Sequence, residues 1–276
     1  MSARDIDLSR VAVHTITTKP WSIETAVERY AAKGFGGITV WRDTLEGREL
    51  PAVRKRIADA GLASVALVRG GFFCHADEAA REKSDADNRK AIDEAAGIGA
   101  SMVVLVCGAL TTQPLERSRE QIREGIERAL PHAEKQGVKL AIEPLHPMYA
   151  DDRSAVNTLR QANDLCAYFR SPYVGVAVDV YHLWWDPDLE AEVARCGENG
   201  WLHAFHVCDW RTPTRDLLLD RGLMGEGCIP VRKIRSWVEK AGFDGYNEVE
   251  IFSKEAWEGD QDEWLDRIAR ASLEHV

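Results

Sequence analysis

The sequence predicts an α/β chain folded as a single (β/α)8 TIM barrel over residues 1–276. Three observations carry this. Eight short β-branched runs alternate with longer amphipathic stretches, several of those stretches stop at a glycine, and about 34 residues fall to each unit, close to the size of a βα unit. The strand runs are 11–14, 37–41, 63–68, 102–107, 139–143, 174–179, 202–207 and 246–251. Helical patterns lie between them at 23–33, 50–60, 118–136, 155–169 and 231–240. Gly34, Gly61, Gly137 and Gly242 supply the left-handed stop expected before a buried parallel strand. Strict alternation requires a parallel sheet, and eight units close it into a barrel.

Residue parity then aims the polar strand ends. In 139–143, Ala141 and Glu143 share a face; in 174–179, Gly175, Ala177 and Asp179 do; in 202–207, Ala204 and His206 do. The large branched residues of the opposite face belong against the helices, which turns the polar set toward the barrel axis at its C-terminal mouth. By the same parity His203 points outward, and His14 and Trp41 line the mouth.

Composition removes several function classes. Hydrophobic residues make up 45%, with no uninterrupted apolar run of membrane-spanning length, and the first seven residues lack the apolar core of a secretory signal. A net charge of −10 has the wrong sign for a phosphate backbone. The six cysteines (74, 107, 166, 196, 208 and 228) have neither CxxC pairing nor finger spacing, so a reduced, cytoplasmic protein is expected.

Four residues stand at the ends of strands five to eight: Glu143, Asp179, His206 and Glu250, spaced by 36, 27 and 44 residues. Three carboxylates around one centre raise each other's pKa unless a countercharge is present, and a divalent cation resolves this. Three oxygen ligands and one imidazole suit Mn2+, with Mg2+ or Co2+ as alternatives, better than a thiolate zinc site. Taken singly, each acid reads equally as a loop cap or a salt-bridge partner. Glu248 shares its face with Glu250 and competes for the fourth place, or serves as a buried ion-pair member.

The segments Ala141-Ile-Glu-Pro144, Val178-Asp-Val-Tyr-His182, His206-Val-Cys-Asp209, Gly225-Glu-Gly-Cys-Ile-Pro230 and Glu250-Ile-Phe-Ser253 resemble the xylose-isomerase-like TIM-barrel superfamily. The nearest branch in this resemblance is that of sugar isomerases and epimerases, typified by tagatose 3-epimerase and the 2-keto-myo-inositol dehydratases. The resemblance implies that Glu143, Asp179, His206 and Glu250 bind one catalytic metal, and that His182 and Arg211 contact the metal-bound substrate or its oxygens. One departure stands out: the epimerases carry a further glutamate six residues after the strand-five ligand, where this chain has Tyr149. His146, three residues past that ligand, is either an acid/base replacement or a loop cap.

The expected chemistry is proton transfer beside the carbonyl of a keto-sugar or polyol-derived ketone, with Glu143, Glu250 or His146 moving the proton. Return of the proton gives an isomerase or epimerase. Loss of a β-substituent gives a lyase, such as a keto-inositol dehydratase or the catalytic subunit of a 3-keto-glycoside deglycosidase with a small accessory subunit. A homo-oligomer and a small-molecule partner are expected, with no nucleic acid and no membrane; a non-enzymatic binding subunit is the remote alternative. The endonuclease branch of the fold needs further histidines after strand seven, and 208–229 contains none. No Gly-rich phosphate loop follows strands seven and eight, which favours a non-phosphorylated sugar. Trp184, Trp185 and Trp210 are candidate sugar platforms or simple packing, and His75 a candidate lid residue.

Overall fold

The computed structural model describes residues 6–276. Eight parallel strands close in the order β1-β10-β7-β6-β5-β4-β3-β2: β1 (Val11–His14), β2 (Gly37–Trp41), β3 (Ala63–Gly71), β4 (Met102–Val106), β5 (Lys139–Ile142), β6 (Val174–Asp179), β7 (Leu202–Val207) and β10 (Asn247–Val249). A two-stranded antiparallel ribbon, β8 (Asp209–Trp210) with β9 (Arg221–Gly222), rises from the loop after β7. The surrounding helices are α1 (Ile23–Lys33), α2 (Leu50–Asp59), α3 (Glu78–Ile98), α4 (Leu115–Gln136), α5 (Leu159–Phe169), α7 (Leu189–Glu198), α8 (Val231–Lys240) and α10 (Gln261–His275). The short α6 (Val180–Leu183) and α9 (Lys254–Glu258) sit at the C-terminal mouth. The (β/α)8 barrel is therefore the fold. Among the described residues, no helix is long and apolar enough to cross a membrane.

Local chemistry sets the element ends. Ser22 caps α1 by accepting from the Thr25 amide, and Gly34 closes that helix at φ 91°, a left-handed conformation in which a Cβ is strained. The buried stripe Ile23, Ala26, Val27 and Tyr30 lies at helical spacing against the sheet. α5 begins at Leu159, later than the expected 155, because Thr158 caps it and residues 155–157 lie outside any regular element. α4 starts at Leu115 and β3 runs on to Gly71. The eighth barrel strand ends at Val249 and β5 at Ile142, each one residue before a glutamate. The ladder still holds those glutamates: the Glu143 amide donates to Leu105 O and the Glu250 amide to Val207 O.

The two faces of the strands divide the core. The large branched residues (Val11, Ile38, Leu140, Val176, Phe205) pack against helices, whereas Ala66, Val104, Ala141, Ala177 and Ala204 fill the barrel interior with Val68, Met102 and Trp41. Ala141, Ala177 and Ala204, two residues before Glu143, Asp179 and His206, share their face and lie beneath them in the barrel interior. His203 departs from the expected outward parity. Its ring lies where a Cβ on Gly175 would stand, because β6 and β7 slip register there, two residues of β7 spanning one step of β6.

Candidate metal centre

Four neighbouring strands bring Glu143, Asp179, His206 and Glu250 together, each buried, with one potential ligand atom per residue all within 4.8 Å of one another. His206 Nδ1 lies 3.0 Å from Glu143 Oε1. Oxygen ligands around a hard divalent ion at about 2.1 Å stand roughly 3–4.2 Å apart, so this set lies within about half an ångström of that spacing, and its three carboxylates and one imidazole suit such an ion. A second buried group, His14, His206 and Glu248, adjoins it and shares His206. Glu248 Oε2 accepts from Thr39 Oγ1 at 2.5 Å and lies 3.4 Å from His14 Nε2 and 4.0 Å from His206 Nε2. His14 Nδ1 approaches Glu250 Oε1 at 3.1 Å, and its ring meets the His206 ring edge-on at 4.7 Å.

A cation from the chain itself already stands among these acids. Arg221, buried, directs Nη1 to Asp179 Oδ2 at 3.0 Å and to Glu250 Oε2 at 2.8 Å, while Nη2 lies 3.2 Å from His182 Nε2. Its guanidinium lies over the rings of Tyr181 and Phe252, at 4.3 and 5.1 Å from their centroids. The loop geometry explains its position. Asp209 accepts from the amides of Gly225, Gly227 and Ile229, folding 208–229 back on itself. The ribbon then pairs Trp210 with Arg221 directly above the mouth.

These contacts fix the titration behaviour. Burial alone would lower the His206 pKa, but the Glu143 hydrogen bond and the charges of Glu248 and Glu250 outweigh it and raise it to about 10. His14 is likewise raised, against burial, by Glu250 and Glu248. Burial raises Asp179 to about 7, with Arg221 opposing. Glu250 is held well below the usual carboxylate range despite burial, by His14 and Arg221. His182 falls well below the usual imidazole value, through burial and the adjacent Arg221. Its two ring nitrogens both face N–H donors, the His146 amide at 3.3 Å and Arg221 Nη2.

The centre opens into a cavity of about 310 Å³ whose wall includes Glu143, Glu250, His182, Arg221 and Trp41. His14 lies below it, fully buried, with Trp41 Nε1 3.3 Å from its Nδ1. His146 and Arg211 are not brought to this wall. His146 Nδ1 instead accepts from the Met148 amide, capping a short turn, and its ring packs on Trp185 and Trp210. Arg211 is spent on Glu226, at 2.8 Å, with Asp220 and Glu255 farther off, because the ribbon turns its side chain outward where Arg221 turns inward. Tyr149 lines the cavity and donates its hydroxyl to Leu217 O at 2.6 Å. The aromatic walls are Trp41, Phe252, Trp257 and Tyr149, whereas Trp210 stacks on Tyr181 and Trp185 packs on His146. His75 borders a neighbouring cleft.

Sequence reasoning missed Arg221. The need for a countercharge was readable, but the loop holds Arg211, Arg215 and Arg221, and only the Asp209 clamp selects among them.

Comparison with known proteins places this geometry in context. The chain is similar to protein SMc04130 from Sinorhizobium meliloti 1021, with 43% identity over 96% of this chain and 98% of that one, at a TM-score of 0.93. It shares its fold with the IolI protein in a structure with a bound zinc atom (19% identity, 96% of each chain, TM-score 0.84). It also shares it with D-psicose 3-epimerase from Clostridium cellulolyticum H10, determined with D-tagatose (16% identity, 96% of each chain, TM-score 0.76). No curated protein matches the sequence. The sequence profile described as xylose isomerase-like TIM barrel matches residues 27–272, and the chain belongs to that family.

Proposed function

We propose that this chain is a divalent-metal-dependent enzyme that removes the proton beside the carbonyl of a keto-sugar or polyol-derived ketone, in the manner of a sugar isomerase or epimerase. The observation that carries the reading is the buried set Glu143, Asp179, His206 and Glu250, converging within 4.8 Å at the floor of a cavity. The fold neighbours support it: one is described with a zinc atom and another is a ketohexose epimerase.

Those four residues would hold the ion, with Mn2+ the first candidate, and the ion would supply a Lewis acid that polarises a carbonyl and acidifies the adjoining C–H. Glu143 is the proton carrier: it borders the cavity, His206 occupies its Oε1, and its Oε2 has no hydrogen-bond partner among the described residues. Glu250 is the weaker base, since His14 holds Oε1 and Arg221 holds Oε2, and its pKa is depressed. His182, kept neutral, borders the cavity with its ring nitrogens turned to the His146 amide and to Arg221 Nη2, and so shapes the wall beside Arg221. Trp41, Phe252 and Trp257 present apolar faces for the C–H surface of a sugar.

The test incubates the manganese-loaded protein with a panel of ketoses and 3-keto-glycosides in heavy water. Deuterium at the carbon beside the carbonyl supports the reading, and release of water or an aglycone marks the lyase outcome. Absence of both across the panel, with the ion bound, overturns it.

A further inference from the structure

The cavity above the centre is richer in cations than a neutral sugar requires. Besides Arg221, which is committed to Asp179 and Glu250, its wall carries Arg69 from β3, Arg153 from the loop after β5 and Lys19 from the loop after β1. Arg69 and Lys19 have no carboxylate within 4.0 Å among the described residues. Arg153 has only its neighbour Asp152, at 3.9 Å and largely exposed. In place of acids these cations rest on rings: Arg69 over Phe72 at 4.3 Å, Arg153 over Tyr149 at 5.5 Å, Lys19 over Trp257 at 4.8 Å. This concentration stands in a chain of net charge −10 with acids to spare. Arg69 is half-buried, and burial together with the like charges of Arg153 and Arg42 lowers its pKa, outweighing the more distant charges of Asp87 and Glu143. A partly desolvated guanidinium with no carboxylate in direct contact is costly, and a bound anion reduces that cost.

We infer that the substrate of this centre carries an anionic group, a carboxylate or a phosphate ester, held by Arg69 and Arg153 with Lys19 at the outer rim. The inference rests on the proton-abstraction reading for the position of the reacting carbon, and it adds the substrate's charge. It also accounts for the lack of a glycine-rich phosphate loop after β7 and β10. The anion is taken instead by side chains from β3 and from the loops after β1 and β5. Lys19 and Arg69 also line an adjoining cleft of about 650 Å³, so a terminal group is not forced into the tight space over the carboxylates.

The test is calorimetric binding to the manganese-loaded protein of a matched set: a neutral ketohexose, its terminal phosphate ester and the corresponding ketohexuronate. At least one charged member is expected to bind about tenfold or more tighter than the neutral one. Whichever charged member leads separates phosphate from carboxylate. The ratio should fall to about one in the Arg69→Gln/Arg153→Gln double variant while its circular dichroism and one bound ion per chain persist. If that variant does not fold, the wild-type ratio itself must shrink as ionic strength rises from about 0.05 to 0.5 M. Equal affinity within the set, including no binding by any member, or a preference that survives the variant or the salt, overturns the inference. Heavy-water exchange is read separately. Charged ligands that bind without exchange count against the proton-abstraction reading alone, and exchange without charge preference counts against this inference alone.

Discussion

Arg221 Nη1 bridges Asp179 Oδ2 and Glu250 Oε2, at 3.0 and 2.8 Å, so one buried guanidinium links two of the three acids that converge with His206 at the barrel mouth. The chain thus supplies its own countercharge to a set of side chains that a divalent ion would also neutralise. Removing it from metal-free protein leaves two buried carboxylates short of a partner. Arg221→Met should then cost about 3–5 kcal/mol of stability. A divalent ion replaces the lost charge, so the rise in Tm on adding Mn2+ should be larger in the variant than in the wild type. Differential scanning calorimetry with and without the ion reads both effects. A smaller metal-induced rise in the variant would show that Arg221 and the ion do not compensate the same charges.

His206 makes metal-free stability depend on pH. Its folded pKa, about 10, lies above the ordinary imidazole value of 6.5, so the fold binds its proton more tightly than the unfolded chain. That contribution is fully present below about pH 6.5 and is lost as pH rises toward 10, with a limiting slope of about 1.4 kcal/mol per pH unit. Raised His14 acts in the same direction. Urea unfolding of the metal-free protein between about pH 7 and 9 should show falling stability. A flat or rising curve contradicts the protonated His206–Glu143 pair. Because a ligating imidazole is neutral and a ligating carboxylate ionised, ion uptake near pH 7 should also release about one to two protons, from His206 and in part from Asp179, visible as a buffer-dependent binding enthalpy.

Glu143 and Glu250 differ in what is free. With ion added to saturation in each protein, Glu143→Gln should lower heavy-water exchange by about 10²–10⁴-fold. Glu250→Gln should retain more of it than Glu143→Gln does. Proton NMR of recovered substrate measures this. Wild-type exchange by Glu143→Gln removes that residue from the proton path.

His146→Ala tests the cap against the acid/base role. Loss of the Met148 amide partner should cost about 0.5–1 kcal/mol, with the bound ion and exchange rate preserved. A large drop in exchange at unchanged ion content would restore the ring to the chemistry.

The barrel was legible because parity and glycine stops are local. Ala141, Ala177 and Ala204 announce the interior face, and Gly34 and Gly137 close helices before strands at φ 91° and 68°. The four converging residues followed from the same parity, since each sits at or just past a strand end. What local pattern could not supply was the course of 208–229. Choosing Arg221 over Arg211 needs the Asp209 clamp and the pairing of Trp210 with Arg221. His203 likewise turned inward through a register slip between β6 and β7 that no single-strand period encodes. The cation set of Lys19, Arg69 and Arg153 was hidden for the same reason, spread over one strand and two loops that meet only once the barrel closes.

The most direct measurement is a titration of metal-free protein with Mn2+, followed by electron paramagnetic resonance for the ion left free in solution. The account predicts one tightly held ion per chain, and loss of that ion in both Asp179→Asn and His206→Ala at preserved circular dichroism. A wild-type protein that retains no divalent ion, or variants that hold it undiminished, would contradict it.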